Sequence, residues 1–412
     1  MTLRDLLPSM RHLSARISPR RPRLSVVAGQ PVDTPPSPAL PPQVQIPVAT
    51  TEAGAEAAET LRARGQFLAR QEDWEQLAVE ITRAEQTRAL TPGLHSQAAL
   101  MSEGARRDIS EAIRDAVARG EPRMVQAAIA SLEPLLNDYP GCPVIAQIVA
   151  MAHVDAARAW READAADRHE AYARHMAAAA RLNDRFDPFE HDMPLWAAVR
   201  CAVLEADPHP QARVADDFED LIDLDPGNPH HLLVFGCALR PTRFGSWEML
   251  DTQARRVAAR TADVWGCGGY AWVYFGALGT DAGAFGRLDA ELFAEGLHDI
   301  LTRHPSQDMA NRLAALTGHT LGGPTEAGSA RRRVADCLGW IAQDHLREIH
   351  PLIWAGVPAR NHVDLLDRRD ADPQRVGRAR ALSALGEFYA PLLDGGRRLV
   401  FGPEGMRMQG NS

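Results

Sequence analysis

Apolar residues recur along most of this chain at intervals of three and four, the period of a helix with one greasy side. The pattern is sharpest between Val214 and Leu278. Val214, Phe218, Leu221 and Ile222 fall at i, i+4, i+7 and i+8, on one stripe. Asp216, Asp217, Glu219 and Asp220 interrupt it and are expected to face water. Pro226 cannot continue the helix and pushes the residue before it out of the α region, which predicts a stop at Leu224 or Asp225. Gly227 or Asn228 supplies the turn, Asn228 caps the next helix and Pro229 takes its first position. That helix carries Leu232, Phe235, Gly236 and Leu239. Gly236 lacks a Cβ, so a neighbouring helix can approach its backbone. Ser246 is the next predicted N-cap, and Trp247, Leu250, Ala254, Val257 and Ala258 form the stripe after it. Trp265 to Leu278 is aromatic and rich in glycine, with Ala271, Tyr274, Phe275 and Leu278 on one face.

Pro226, Leu232, Phe235, Gly236 and Leu239 stand in the order of a tetratricopeptide boundary. There, one helix ends at proline and the next brings large residues around a glycine. Phe218 suits the large position of the preceding helix, while Val214 and Leu221 replace the usual small residues. The stretch therefore resembles one tetratricopeptide-like unit. The resemblance implies an all-α fold, an array of antiparallel helix pairs (an α-solenoid) with a long concave surface.

Elsewhere the pattern is similar but less regular. Leu61, Leu68, Trp74, Leu77 and Ile81 mark a hairpin with Asp73 as a cap. His95 to Arg119 reads as one longer helix. Met124, Ala128, Leu132 and Leu135 stripe the next, and Pro143–Arg161 and Ala165–Leu182 form another pair. Met193–Leu204, Leu288–Leu301, Asp308–Leu321, Ala330–His350 and Gln374–Leu393 complete the helices. Prolines at 140, 188, 226 and 305 are separated by 48, 38 and 79 residues, in the range of one or two helix-pair units. The expected organisation is a disordered Pro/Arg-rich arm over 1–51, a helical-repeat array over 52–321, a C-terminal helical cap region over 322–395 and a tail over 396–412. Leu399-Val400-Phe401 is expected to dock as a short extended piece.

Composition narrows the chemistry. All 45 basic residues are arginine. A GC-rich, bacterial genome accounts for this, and the consequence is physical. Without lysine there is no phosphate-loop lysine, no pyridoxal Schiff base, no kinase-type β3 lysine and no Schiff-base aldolase. Five scattered cysteines contain no Cys-x-x-Cys pair and read as reduced core thiols. The formal charge is −9. Residues 1–50 hold six arginines against Asp5 and Asp33, so the remainder is more acidic still, which argues against general nucleic-acid binding. No apolar run approaches the ~20 residues of a membrane span. The first residues lack the apolar core of a signal peptide, and a cytoplasmic location is expected.

Single-residue candidates mostly reduce to structural roles. His169 and His175 are six apart and cannot pair on a metal, and His345, Glu348 and His350 make an incomplete site. His230-His231 reads as a polar first turn. Gly266, Gly268 and Gly269 lack both the strand and the spacing of a nucleotide loop. The acidic run of Asp216 to Asp225 reads as a solvated face or a docking face for a basic partner. Arg240, Arg243, Phe244, Trp247, Trp265, Tyr270, Trp272 and Tyr274 remain. Arginine and aromatic residues anchor interfaces, so these eight are the candidate partner-binding surface.

The expected function is a non-catalytic scaffold or adaptor that binds a protein or peptide on a helical-repeat surface, with no cofactor, no metal and no catalytic residue. The alternative is an enzyme or regulatory small-molecule binder with a pocket near Arg240–Tyr274. A closed pocket holding buried arginine and a desolvated acid favours that alternative, whereas an open groove with exposed aromatics favours the scaffold.

Overall fold

Prolines and glycines cut the chain into short helices at the joints between stripes. In the computed structural model the described residues are 43–358, 372–393 and 396–410. Most of the expected arm, 1–42, lies outside them. The protein is mostly helical, with little strand.

Helices α1 (Ala53–Arg70) and α2 (Trp74–Gln86) form the first hairpin, and the Asp73 side chain caps α2 by accepting from the Gln76 N–H. The single helix expected from His95 to Arg119 is instead two, α3 (Gln97–Ala105) and α4 (Arg107–Ala118). The break falls at Arg106, whose buried guanidinium is anchored to Asp155 and Ser102. Then follow α5 (Pro122–Ala130), the short α6 (Leu135–Asp138), α7 (Pro143–Glu162), α8 (Arg168–Asn183) and α9 (Pro194–Ala202). The central stretch supplies α10 (Val214–Leu224), α11 (Pro229–Ala238), α12 (Trp247–Arg260), α13 (Ala262–Trp265) and α14 (Gly268–Leu278). Last come α15 (Ala290–Arg303), α16 (Gln307–Ala314), α17 (Ala330–Trp340), α18 (Pro351–Gly356) and α19 (Pro373–Leu393). π-helical turns extend α16 over Ala315–Thr320 and α17 over Ile341–His345.

Helices close in sequence pack on one another: α1 on α3, α7 on α8, α11 on α14, α18 on α19. The α11–α14 contact is backbone on backbone. A Cβ on Gly236 would stand 1.8 Å from the Val273 carbonyl oxygen, and one on Gly276 would stand 1.9 Å from that of Leu233. Apolar side chains collect in two clusters. One runs from Leu68 to Val203, and the other from Ala197 to Phe401 with Val44 added.

Contacts distant in sequence join the first helices to the later ones. Glu52 Oε1 accepts from the Leu352 N–H at 2.9 Å, and Arg312 donates to the Gly93 carbonyl at 2.9 Å. A small sheet departs from the all-α expectation. Strand β1 (Val44–Gln45) pairs in parallel with β2 (Arg398–Gly402), which pairs antiparallel with β3 (Gly405–Gln409). Val44, Leu399 and Phe401 point inward, the period-2 burial of a half-covered strand. Residues 43–51 are therefore tied to the fold rather than part of a loose arm, because Val48 and Ala49 also pair with Ile349. Among the described residues no helix is long and apolar enough to cross a membrane.

The acidic run on α10 is only partly an open face, with Asp216 and Asp223 exposed. Asp217 is buried against Arg213, Asp220 faces Arg200, and Glu219 and Asp223 pair with Arg256 and Arg260 of α12. Arginines from three other segments pair with it.

Candidate functional site

The eight residues expected to form one surface are not brought together. Trp265, Tyr270, Trp272 and Tyr274 are each 0% exposed. Trp265 Nε1 donates to the Pro226 carbonyl at 2.8 Å, and both tyrosine hydroxyls donate to Asp251 Oδ1, at 3.1 and 3.0 Å. They are core, and burial removes them from any partner surface. Tyr270, Trp272 and Tyr274 lie on α14, which is buried on every side and has no outward face, and Trp265 at the end of α13 packs edge-on against Trp272. The other four are at least partly open. Arg243 pairs with Glu205 and lies over Phe244 at 4.8 Å, Arg240 donates to the Cys237 carbonyl, and Trp247 is half-buried.

The structure concentrates its unusual chemistry elsewhere, in a cleft between the helices. A chamber of about 820 Å³ lies between α1, α11, α14, α16 and α18. It adjoins one of about 280 Å³ between α1, α3, α7, α9 and α11, and the two share Arg62, His95, His230 and Val234. Arg62, Arg106 and Arg158 continue the lining into an outer basin. Arg243 and Phe244 reach only a side pocket that Arg158 also lines.

Each of these groups is placed by local structure. Helices α1 and α3 cross with their backbones touching, since a Cβ on Gly104 would stand 2.0 Å from the Arg62 carbonyl oxygen. That crossing sets Arg62 against Glu103 at 3.0 Å. Arg106 Nε donates to Asp155 Oδ2 at 2.8 Å, and its Nη1 donates to Ser102 Oγ at 2.9 Å. His230 is set by the joint before α11. Asn228 Oδ1 accepts from the His230 N–H at 3.1 Å, Pro229 opens the helix, and His231 Nε2 lies 3.1 Å from Asp225 Oδ2. His231 is thereby turned into the interior and His230 into the cleft. The polar first turn read from the sequence is two residues with separate roles.

Arg158 and Arg312 differ from their neighbours. Among the described residues, Arg158 has no hydrogen bond and no ion pair. Arg312 bonds to the Gly93 carbonyl and lies 3.4 Å from His95 Nε2, with no carboxylate of the described residues at ion-pair distance. Water reaches Arg158, yet desolvation by surrounding protein lowers its pKa. Both properties together mark the wall of a cleft. Burial likewise lowers the pKa of Arg312, partly offset by Asp308. Both remain cations at neutral pH, because arginine starts above 12.

The potential they create acts on His230. Burial, then His231, His95, Arg312 and Arg158, drive its pKa down to about 4. His95 is lowered by burial and by Arg312. Glu85 sits at the far edge of the smaller chamber. Burial raises its carboxyl to about 7, although Oε2 accepts the Leu195 N–H at 2.8 Å. The cleft therefore holds unpaired arginine, neutral histidine and a desolvated acid. It can bind an anion through guanidinium groups, and Glu85 can exchange a proton near neutral pH.

Sequence reasoning missed Arg62, His95, Arg106, Arg158 and Arg312. One signal was available. Arg158 interrupts α7, which is otherwise packed with buried apolar residues around Val154, Ala157 and Trp160. Among the described residues no group of three or more histidine, cysteine or acidic side chains is placed to hold a metal. No family model, no curated protein and no solved structure matches this chain.

Proposed function

We propose that the protein is a binding module, built as a tetratricopeptide-like array of antiparallel helix pairs, that holds an anionic small molecule in its arginine-lined cleft. One observation carries the reading. Two arginines without carboxylate partners among the described residues, Arg158 and Arg312, flank a histidine whose pKa their charge helps to depress. Guanidinium is weakly hydrated and matches the planar fork of carboxylate or the oxygens of phosphate. An unpaired pair of them inside a cleft is a charge arrangement completed by an anion.

The scaffold expectation moves to second place, and its eight-residue surface is not kept. A peptide partner stays in play because the chambers run on into the outer basin, which gives an acidic extended segment room to lie. The test uses citrate, inorganic pyrophosphate and a poly-glutamate peptide as probes of thermal stability. The small anions are expected to raise Tm of the intact protein and to lose that effect in Arg158→Ala. This variant removes no hydrogen bond and no ion pair among the described residues. Stabilisation by the peptide alone would restore the adaptor reading. Equal stabilisation of both proteins by every probe would sink the site.

A further inference from the structure

Beside the cationic centre the cleft changes character. Val234 is 40% exposed, unusual for a large apolar residue on a helix, and lines both chambers. Leu233, Phe275, Leu316, Leu352 and Ile353 complete an apolar wall around the larger one. Among the described residues, the acids that line the larger chamber are already committed: Glu59 to Arg107 and Asp308 to His350. Positive charge is left at one end and grease at the other. Ligand pockets run to roughly 300–1,000 Å³, and the larger chamber, at about 820 Å³, is within that range.

We infer that the ligand is an amphiphile: one anionic head, carboxylate or phosphate, held between Arg158, His230 and Arg312, with an apolar chain in the large chamber. This rests on the anionic-ligand reading above and deepens it. His230 suits the head because it is neutral and presents one N–H and one lone pair, so it accommodates a carboxylate or a protonated phosphate oxygen. The chain would cover Val234 and the wall around it, and burying apolar surface is what such a wall gains from a ligand.

Calorimetric titration of the intact protein with octanoate, decanoate, dodecanoate, dodecyl phosphate and dodecanol tests this. Affinity should rise by up to about fourfold per added methylene, the burial value of one CH₂. Dodecanol, which lacks the charge, should bind at least about tenfold more weakly than dodecanoate. Comparing dodecanoate with dodecyl phosphate identifies the preferred head. Arg158→Ala should weaken both by about tenfold. Ala55→Trp, which fills the chamber from α1, should abolish the chain-length dependence while pyrophosphate still stabilises the protein. Should that variant misfold, Val234→Asp on the exposed side of α11 puts a negative charge beside the chain and should weaken dodecanoate by a similar factor. Affinity independent of chain length, or dodecanol equal to dodecanoate, overturns the inference. If citrate or pyrophosphate binds through Arg158 and no alkyl probe does, only the amphiphile fails. If nothing binds through Arg158, the anionic site fails with it.

Discussion

His153 and His175 face each other across α7 and α8 with their Nδ1 atoms 3.2 Å apart. Both are buried, and neither has a carboxylate partner. For that contact to be a hydrogen bond, one ring must carry its hydrogen on Nδ1 and the other on Nε2. A proton added to either ring leaves a buried charge, and on the accepting Nδ1 it also sets two N–H groups face to face; burial holds each pKa down to about 4. The unfolded chain binds these protons near 6.5 and the folded one near 4, so the unfolded state holds more protons in between. Stability is therefore complete above pH 6.5 and is lost as pH falls toward 4, by on the order of 3 kcal/mol per histidine. Urea melts at pH 7.5 and 4.5 should show this loss. His153→Leu/His175→Leu should flatten the dependence, and an unchanged slope in that double variant would mean that other groups carry the acid sensitivity.

At the scale of single elements, glycine decides how closely α11 and α14 pack. Gly236→Ala places a methyl carbon 1.8 Å from the Val273 carbonyl oxygen, a backbone atom that can move only with its helix. Overpacking of this kind costs about 1–3 kcal/mol or more. A fall in Tm of several degrees is the expected result, and an unchanged Tm would show that the two helices separate freely. The need for glycine at 236 was legible in the sequence, because a residue without a Cβ inside an apolar stripe has few other uses. The caps at Asp73, Asn228 and Ser246 were legible for a similar local reason: each side chain accepts a nearby backbone N–H. The candidate site was not. A periodic pattern separates inside from outside only when a helix has an outside, and α14 has none. The acidic run on α10 misled in the opposite direction. Its partners Arg200, Arg256 and Arg260 come from other helices, and no local spacing announces them. Arg158 could be seen as an interruption of a greasy helix, but its lack of a partner is a fact about tertiary structure.

For the whole molecule, the large chamber has walls from both ends of the chain. Helix α1 supplies one side, and α16 and α18 supply the other. Packing of sequence neighbours alone would leave that side open. Glu52 is what joins them most directly: buried to 3% exposure, its Oε1 accepts the Leu352 N–H at 2.9 Å and lies 3.4 Å from Gln374 Nε2. Glu52→Ala leaves the half-buried Leu352 N–H without its acceptor, at a cost of about 1 kcal/mol. Glu52→Gln retains a carbonyl at the same place and should lose less. If the ends belong to one cooperative unit, calorimetry of Glu52→Ala will show a single transition at lower temperature. The same variant should also weaken any ligand of the large chamber, although Glu52 itself does not line it. A separate early transition, with the main one unmoved, would instead mean that the C-terminal helices merely rest on a self-sufficient helical body, and that the chamber is a gap between two bodies rather than a site built by closure.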